Sequence, residues 1–297
     1  MELKQLLTET RNIASINLDK MSSREIVELM NAEDSNVISA VKGQLEPIAK
    51  AIDVIVAAMQ QGGRLFYIGA GTSGRLGVLD ASECPPTFNT SPNMVIGLIA
   101  GGDVALRTAV EGAEDSLDGA KKDLEKYGFN SKDVLVGLAA SGRTPYVIGG
   151  LSYAKGLGCT TVAISCTNNA KISALADVPI ELLVGPEVLT GSTRLKSGTA
   201  QKLVLNMLST GTMVRLGKCY SNLMVDVQPT NEKLRVRAEN MVIEVTGVSR
   251  ETAQETLRMT QGRVKPALVM LLKQCALEEA LEALKNNNDR IADAIRG

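Results

Sequence analysis

The chain has 297 residues, of which 44% are hydrophobic, and its 32 basic and 33 acidic side chains leave a formal net charge of -1. This length and composition can bury a large core, and the charge balance argues against nucleic-acid binding, which normally needs a basic surface. No apolar run approaches the ~20 residues of a membrane span, so we expect neither a membrane-spanning helix nor a signal peptide. The five cysteines form no C-x-x-C pair, which favours free thiols in a cytoplasmic protein.

The sequence contains no histidine. This excludes Ser-His-Asp and Cys-His mechanisms, the common zinc sites and the usual general base. Any acid–base chemistry must be carried by Glu, Asp, Lys, Tyr or Cys side chains. Because aromatic residues make up only 3% of the chain and tryptophan is absent, we also expect no stacking surface for single-stranded nucleic acid.

Helical patterns occupy the first 62 residues of the chain. A capping signal over residues 22–25 precedes the first helix, and a second helix is predicted from about residue 35 to residue 61, where two glycines end it. Helical patterns return from about residue 228 onward. The helices predicted there cover residues 231–247, 249–261, 264–274 and 277–285.

Between these regions, five short apolar runs alternate with helical patterns. The runs cover residues 65–68, 95–99, 134–138, 161–165 and 180–184. Short β-branched runs of this kind are typical of strands buried on both faces of a parallel sheet. We therefore predict an α/β fold with a doubly wound, mostly parallel five-stranded sheet, N-terminal helices and a small C-terminal helical subdomain. The predicted domains are residues 1–62, 63–227 and 228–297.

A glycine-rich loop, GAGTSGR, follows the first predicted strand at residues 69–75 and leads into a helix. Its glycines permit close approach of a ligand, and the amides of the helix N-terminus favour an anion, so Thr72, Ser73 and Gly74 are candidate binding residues. The alternative is a tight turn capped by Thr72 or Ser73. A dinucleotide is disfavoured because Asp103, after the second strand, is placed like a helix cap, and the loop lacks the lysine of a P-loop.

Two further loops have the same character. The first supplies Ser141, Gly142, Arg143 and Thr144 after the third strand, with Pro145 suited to the first helical position. The second covers residues 190–199, where Ser192 and Lys196 are candidate ligands of a substrate oxygen. Loops at the carboxyl ends of parallel strands open on one crevice. Three loops rich in hydroxyls and glycines therefore predict a sugar-phosphate site.

These loops, with GTSG and SGRT in this arrangement, resemble the sugar isomerase (SIS) domain. The resemblance becomes closer over LDASECPPTF at residues 79–88, AVEGAED at 109–115 and LTGSTRLKSGTAQK at 189–202. Together these segments resemble the N-acetylmuramic acid 6-phosphate etherase family over essentially the whole chain. We notice no departure from the family pattern at the motif positions.

The resemblance implies a cytoplasmic carbon–oxygen lyase that acts in recycling of cell-wall amino sugars. It would cleave the lactyl ether of N-acetylmuramic acid 6-phosphate to N-acetylglucosamine 6-phosphate and D-lactate, without a metal or another cofactor. The resemblance also places the acid–base pair at Glu83 and Glu114, and it suggests a homodimer that binds no nucleic acid or membrane.

Each glutamate also has a simpler interpretation. Glu83 lies near the end of the first sheet-domain helix, where Pro85 and Pro86 are expected to end it, and a glutamate there opposes the helix dipole. Glu114 stands in an acidic stretch, residues 111–118, that resembles the solvated face of a helix. The residues alone favour solvation for Glu114 and leave Glu83 open.

The predicted length of the helix that follows the glycine-rich loop bears on whether the site is built from one subunit or two. From residue 73 to residue 83 it would span ~15 Å, and its N-terminus faces the crevice. Either the helix ends early and the segment folds back, or Glu83 completes the site of a second subunit. We favour the second option.

Two other functions remain open at this point. An aldose–ketose isomerase on the same fold would share the phosphate loops and the removal of a C2 proton, but it would not release lactate. A sugar-phosphate-sensing regulator would need a module that reads DNA or binds a partner. The neutral charge argues against the DNA-reading version.

Overall fold

A computed structural model describes residues 7–226 and 232–296. The chain divides into two compact units: unit 1 comprises Met1–Ser82 and Asn93–Ser209, and unit 2 comprises Glu83–Pro92 and Thr210–Gly297. The domain limits expected at residues 62 and 227 stay a prediction, and residue 227 lies outside the described residues.

Unit 1 contains the sheet. Two helices precede it, α1 (Ser23–Lys42) and α2 (Leu45–Gln60). The strands and the helices that alternate with them are β1 (Leu65–Gly69), α3 (Gly71–Phe88), β2 (Val95–Ile99), α4 (Gly119–Lys126), β3 (Val134–Leu138), α5 (Pro145–Gly156), β4 (Thr160–Ser165), β5 (Val178–Glu181) and α6 (Lys196–Arg215). Helices α3 and α6 run from unit 1 into unit 2.

The five strands pair in the order β2-β1-β3-β4-β5, and every pair is parallel. The predicted doubly wound α/β sheet is confirmed, and all of its strands are parallel. In this order the chain reverses its direction of travel across the sheet between β1 and β3. Ligands of doubly wound sheets bind beyond the carboxyl ends of the strands at such a switch point.

Close helix packing covers both faces of β1. A Cβ added to Gly77 of α3 would lie 2.9 Å from the Cβ of Tyr67, and one added to Gly150 of α5 would lie 2.3 Å from Cδ1 of Ile68. Successive residues of a strand point to opposite faces. Helices α3 and α5 therefore pack on opposite faces of the sheet, and each begins at its carboxyl edge.

Two predicted limits in unit 1 are wrong. The first helix does not end before Ser35, because Ser35 lies inside α1, where its hydroxyl donates to the carbonyl of Ala32. The break falls at Gly43 and Gln44 instead. The fifth strand is Val178–Glu181 rather than residues 180–184, because its pairing partner β4 ends at Ser165, opposite Glu181.

Helix α3 also continues where it was expected to stop. Pro85 and Pro86 lie inside it, and it ends at Phe88. A proline removes its own N–H from the helix but keeps its carbonyl as an acceptor. The carbonyl of Pro85 accepts from Asn89 at 2.9 Å, which closes the last turn before Asn89 takes a left-handed conformation.

Unit 2 is mainly helical over its described residues. Its helices are α7 (Glu232–Thr246), α8 (Arg250–Met259), α9 (Val264–Lys273), α10 (Leu277–Asn286) and α11 (Ile291–Ala294). The predicted C-terminal helices are confirmed to within a few residues, α11 was not predicted, and the expected start at Asn231 lies outside the described residues. Val242, Leu257 and Leu268 contribute to one buried apolar cluster. No helix in the described ranges is long and apolar enough to cross a membrane.

Candidate sugar-phosphate site

The site is organised by the pairing of β1 with β3. Gly69, the last residue of β1, lies opposite Leu138, the last residue of β3. The loops that follow these two strands therefore start side by side at the switch point. They are the two loops in which the sequence predicts phosphate-binding residues.

The first loop is tied to the N-terminal part of α6. The buried hydroxyl of Ser73 donates to Oε1 of Gln201 at 2.7 Å, and a Cβ on Gly198 would lie 3.4 Å from the methyl group of Thr72. Gly74 packs so tightly that its Cβ would meet the carbonyl of Gly69 at 2.6 Å. Thr72, Ser73 and Gly74 thus lie where the first and third loops meet, and Ser73 already has a protein partner.

The second loop opens α5. Thr144 is the N-cap, Pro145 is the first helical residue, and the Thr144 hydroxyl makes no capping bond within the described residues. The placement of Pro145 at the first helical position is as predicted. Ser141, Arg143 and Thr144 are all half-buried. A hydroxyl that does not cap its helix is available to a ligand at the helix N-terminus, where the dipole favours an anion.

Gly142 is required by two constraints. Its φ is 68°, a left-handed conformation that glycine adopts without strain. A Cβ at this position would also lie only 2.4 Å from the Cβ of Ala170. The Ala170 segment is held in turn by Glu181, whose carboxylate accepts from the amides of Asn169 and Ala170.

The third loop is held by a fully buried carboxylate. Glu187 accepts hydrogen bonds from the amides of Lys196 and Ser197 at 3.0 and 2.9 Å, and from the Ser197 hydroxyl at 2.9 Å. A carboxylate at a helix N-terminus satisfies free amides and complements the dipole. This start of α6 is therefore occupied by the protein's own anion. Ser192, earlier in the loop, is half-buried.

Lys196 has a structural partner. Its side chain is 1% exposed, and Nζ donates to Oε2 of Glu33 at 2.5 Å. The hydrogen bond from Lys196 lowers the pKa of Glu33. Both residues line a cavity of about 630 Å³ that contains none of the other predicted site residues. A substrate role for Lys196 stays a prediction, and the ammonium would have to leave Glu33 to fulfil it.

Glu114 does not lie on the face of an α-helix. It is exposed in a short 3-10 turn, Ala113–Asp115, which follows Gly112 in a left-handed conformation. It lines a cavity of about 210 Å³ together with Gly71 and Arg75 of the glycine-rich loop. Of the two predicted catalytic carboxylates, Glu114 is the one that the structure brings to that loop within unit 1.

Glu83 is exposed on α3 and belongs to unit 2. Its neighbour Cys84 is 2% exposed, so the helix buries the face next to it and leaves the carboxylate accessible. An accessible carboxylate can meet a ligand.

Asp80, one helical turn before Glu83, was not predicted from the sequence. Burial raises its pKa to about 6, although hydrogen bonds from Ser209 and Tyr67 and the charge of Lys202 act in the opposite direction. The Ser209 hydroxyl donates to Oδ1 of Asp80 at 2.9 Å. Asp80 thus links β1, α3 and α6 within unit 1.

Cys166, which contacts the start of α6, is held in an inactive form. Burial raises the pKa of the Cys166 thiol to about 12, and its Sγ lies 3.7 Å from the carbonyl of Ser197. Cys166 is therefore a thiol at neutral pH rather than a nucleophile. In the described parts of the chain, no group of three or more Cys, Asp and Glu side chains is arranged to hold a metal ion.

Glu33, Glu187 and Gln201 support the site but were not singled out from the sequence. Gln201 lies within a quoted motif, yet its bond to Ser73 joins residues 128 positions apart. Glu187 precedes α6 by more residues than a local capping signal spans. Such contacts leave no local pattern, and only the arrangement of the strands brings their partners together.

The chain is similar to known domains and proteins. Residues 47–155 match the glucokinase regulatory protein N-terminal SIS domain, and residues 126–211 match the SIS domain. An N-acetylmuramic acid 6-phosphate etherase of Exiguobacterium sp. is 56% identical over 293 residues, which cover 99% of this chain and 100% of that protein. Another, from Francisella philomiragia, is 57% identical over 289 residues, covering 97% and 98%. A phosphoheptose isomerase from Neisseria gonorrhoeae shares the fold, with a TM-score of 0.51 and 20% identity over 64% of this chain and 98% of its own.

We expect the substitution Asp80→Asn to change the pH dependence of stability. The pKa of Asp80 is raised from 3.8 to about 6 in the folded chain. As the pH rises, the Asp80 carboxyl therefore loses its proton at a lower pH in the unfolded chain than in the folded chain. The free energy of unfolding therefore falls as the pH rises through this range, by at most ~3 kcal/mol. Asp80→Asn lacks this loss and should gain stability relative to the wild type between about pH 4 and pH 8, as measured by urea unfolding.

Ser209→Ala serves as the control. It removes a hydrogen bond that lowers the pKa of Asp80 but leaves the carboxyl in place. This variant should therefore lose stability with rising pH at least as strongly as the wild type, because the raised pKa of Asp80 rises further. A difference between Asp80→Asn and the wild type that is the same at all pH values would contradict the role given to burial.

Proposed function

Because the chain belongs to the N-acetylmuramic acid 6-phosphate etherase family, we propose that it cleaves the D-lactyl ether of N-acetylmuramic acid 6-phosphate. The products are N-acetylglucosamine 6-phosphate and D-lactate. The observation that carries the proposal is the cavity in which Glu114 meets the glycine-rich loop. We further propose a cytoplasmic carbon–oxygen lyase of cell-wall amino-sugar recycling.

Two carboxyl groups can supply the acid and the base for this reaction. In the open-chain sugar, the C1 aldehyde acidifies the proton at C2. A base removes this proton, the electron pair forms a C2=C3 double bond, and the C3–O bond breaks while an acid protonates the departing lactate oxygen. Water then adds across the double bond, with its hydroxyl at C3 and a proton at C2. Each step moves a proton, so a chain without histidine can supply all the acid–base groups.

We assign Glu114 as the C2 base and Glu83 as the acid for the lactate oxygen. Both side chains are exposed and therefore accessible to a substrate. Glu114 shares its cavity with Gly71 at the start of α3. A base must lie within hydrogen-bond reach of the proton that it removes, so the C2 atom of the sugar would lie at this cavity.

The phosphate would be bound at the N-terminus of α5. Ser141, Gly142, Arg143 and Thr144 form this loop, with Thr72 and Ser73 assisting from the neighbouring strand end. The register of β1 with β3 supports the assignment, because the two loops start side by side. We include Gly74 on the same grounds, and Ser192 because its loop leads into α6, whose Gly198 and Gln201 lie against Thr72 and Ser73. The N-terminus of α6 is less suited to bind the phosphate, because the carboxylate of Glu187 already accepts hydrogen bonds from its amides.

We also propose a homodimer in which Glu83 completes the site of the partner subunit. Of the two alternatives derived from the sequence, one required α3 to end early and fold back. The helix instead runs without interruption from Gly71 to Phe88. Because α3 does not end early, the alternative in which Glu83 completes the site of the partner subunit is favoured.

Ser141→Ala tests the phosphate assignment. Phosphate binding changes little along the reaction, so its loss should raise KM for the phosphorylated sugar by about tenfold and lower kcat much less. Steady-state kinetics with N-acetylmuramic acid 6-phosphate measures both. Unchanged kinetics would remove Ser141 from the site.

Separate substitutions of the two glutamates test their roles. Glu83→Ala should abolish lactate release but leave some exchange of the C2 proton with deuterated solvent, because the base is still present. Glu114→Ala should lose both, with kcat falling by ~100-fold or more. Lactate assays and mass spectrometry give the two readouts. The opposite pattern would reverse the roles, and full activity of either variant would refute its involvement.

Mixing inactive subunits tests the shared site. Glu83→Ala subunits are combined with subunits that carry both Ser141→Ala and Thr144→Ala, and activity is assayed at a substrate concentration far below the raised KM, where the second variant alone is nearly inactive. If Glu83 serves the partner, a mixed dimer has one site with both elements intact, and activity returns. If each chain builds its own site, every mixed dimer stays inactive, provided that mass spectrometry shows that subunits have exchanged.

A further inference from the structure

Among the described residues, one positively charged side chain lines the cavity around Glu114. Its lining includes two acidic side chains, Glu111 and Glu114, and one basic side chain, Arg75, and the other described lining residues are glycine, alanine and valine. At about 210 Å³ the cavity holds a part of a sugar phosphate rather than the whole molecule. An anionic group bound there would lie beside two carboxylates, with Arg75 as its single source of positive charge among the described lining residues.

The guanidinium of Arg75 is fixed by two backbone carbonyls. Its Nε donates to the carbonyl of Leu106 at 3.0 Å and its Nη2 to the carbonyl of Ala105 at 2.6 Å. Over the described residues, Nη1 has no hydrogen-bond partner. A guanidinium that is held on one edge keeps the remaining donors in a fixed geometry, which suits a carboxylate.

The loop that carries Glu114 is packed against the same residues. Gly101 has a φ of 88°, and a Cβ there would lie 2.9 Å from the Cβ of Val110 and 3.2 Å from that of Ala105. Val110 precedes Glu114 by four positions, and Ala105 is held by Arg75. The contact at Gly101 therefore keeps the Glu114 turn close to the residues that Arg75 binds.

The chemistry of the substrate supplies an anion at this place. If Glu114 removes the C2 proton, the adjacent C3 carries the lactyl ether, whose carboxylate lies only a few bonds away. That carboxylate must then approach Glu114, and two like charges in one small cavity disfavour binding unless a cation lies between them or beside them. Among the described residues that line this cavity, Arg75 carries the positive charge.

We infer that Arg75 binds the lactyl carboxylate and thereby makes the enzyme specific for sugars with a carboxylate-bearing ether at C3. The inference rests on the proposed function, because it takes Glu114 as the C2 base. It gives Arg75 a role in selecting the substrate in addition to holding the Ala105 and Leu106 carbonyls.

The test compares N-acetylmuramic acid 6-phosphate with its lactamide analogue, in which a primary amide replaces the carboxylate. The wild type should favour the carboxylate substrate in kcat/KM by about 10- to 100-fold, the usual value of a hydrogen bond to a charged group. Arg75→Gln keeps an N–H donor for the loop carbonyls but removes the charge, so this preference should fall to near one. Arg75→Lys should retain part of it.

Arg107→Gln is the matched control, since Arg107 is exposed in the same loop and does not line the cavity. It should keep the full preference. Equal losses on both substrates in Arg75→Gln would show that Arg75 only holds the loop, and the inference would be overturned. A wild type that cleaves neither ether, releasing no lactate from the first substrate and no lactamide from the analogue, would instead refute the proposed function.

A binding measurement covers the case in which Arg75→Gln is inactive. Calorimetry compares the two ligands on Glu114→Ala and on the double variant Glu114→Ala, Arg75→Gln. The first should bind the carboxylate ligand more tightly, and the double variant should bind both ligands alike. A preference that survives in the double variant overturns the inference.

Discussion

The arrangement of the site depends on β1 and β3 lying side by side with Gly69 opposite Leu138. Both strands are buried, so neither can shift along the other without exposing apolar side chains or breaking the parallel ladder. The loops after them are consequently fixed next to each other. Their helices leave on opposite faces, as the packing of Gly77 and Gly150 shows. Two helix N-termini therefore face one small space, which is a suitable place for a phosphate.

Buried charges in unit 1 support this arrangement rather than the chemistry. Glu187 caps α6 and Lys196 is paired with Glu33. A buried charge without a partner is costly, so these pairs hold the loops in defined positions. The candidate catalytic carboxylates, Glu83 and Glu114, are exposed instead. Water around them must be displaced when the substrate binds before they can act as acid and base.

The sequence was sufficient for the sheet because its strands are local apolar runs with turn residues at their ends. It also located the glycine-rich loops, since Gly142 needs a left-handed backbone and close packing that only glycine allows. It failed for α3, where two prolines in the last turn were treated as a stop although only their N–H groups are lost. The sequence did not predict the backbone conformation at Glu114, because a run of acidic residues is equally compatible with an α-helix and with a 3-10 turn. Contacts such as Ser73 with Gln201 could not be predicted, because they join distant parts of the chain.

The division of tasks within the proposed site follows from the reaction. Phosphate binding and C2 deprotonation are shared by an etherase and by an aldose–ketose isomerase, so the loops after β1 and β3 cannot distinguish the two reactions. The distinction lies at C3, where an etherase must release a carboxylate-bearing group. The residues that determine it must therefore be the acid that protonates the ether oxygen and the cation that accepts the carboxylate. We propose Glu83 and Arg75 for these two roles, and both lie on α3, the helix that begins at the glycine-rich loop.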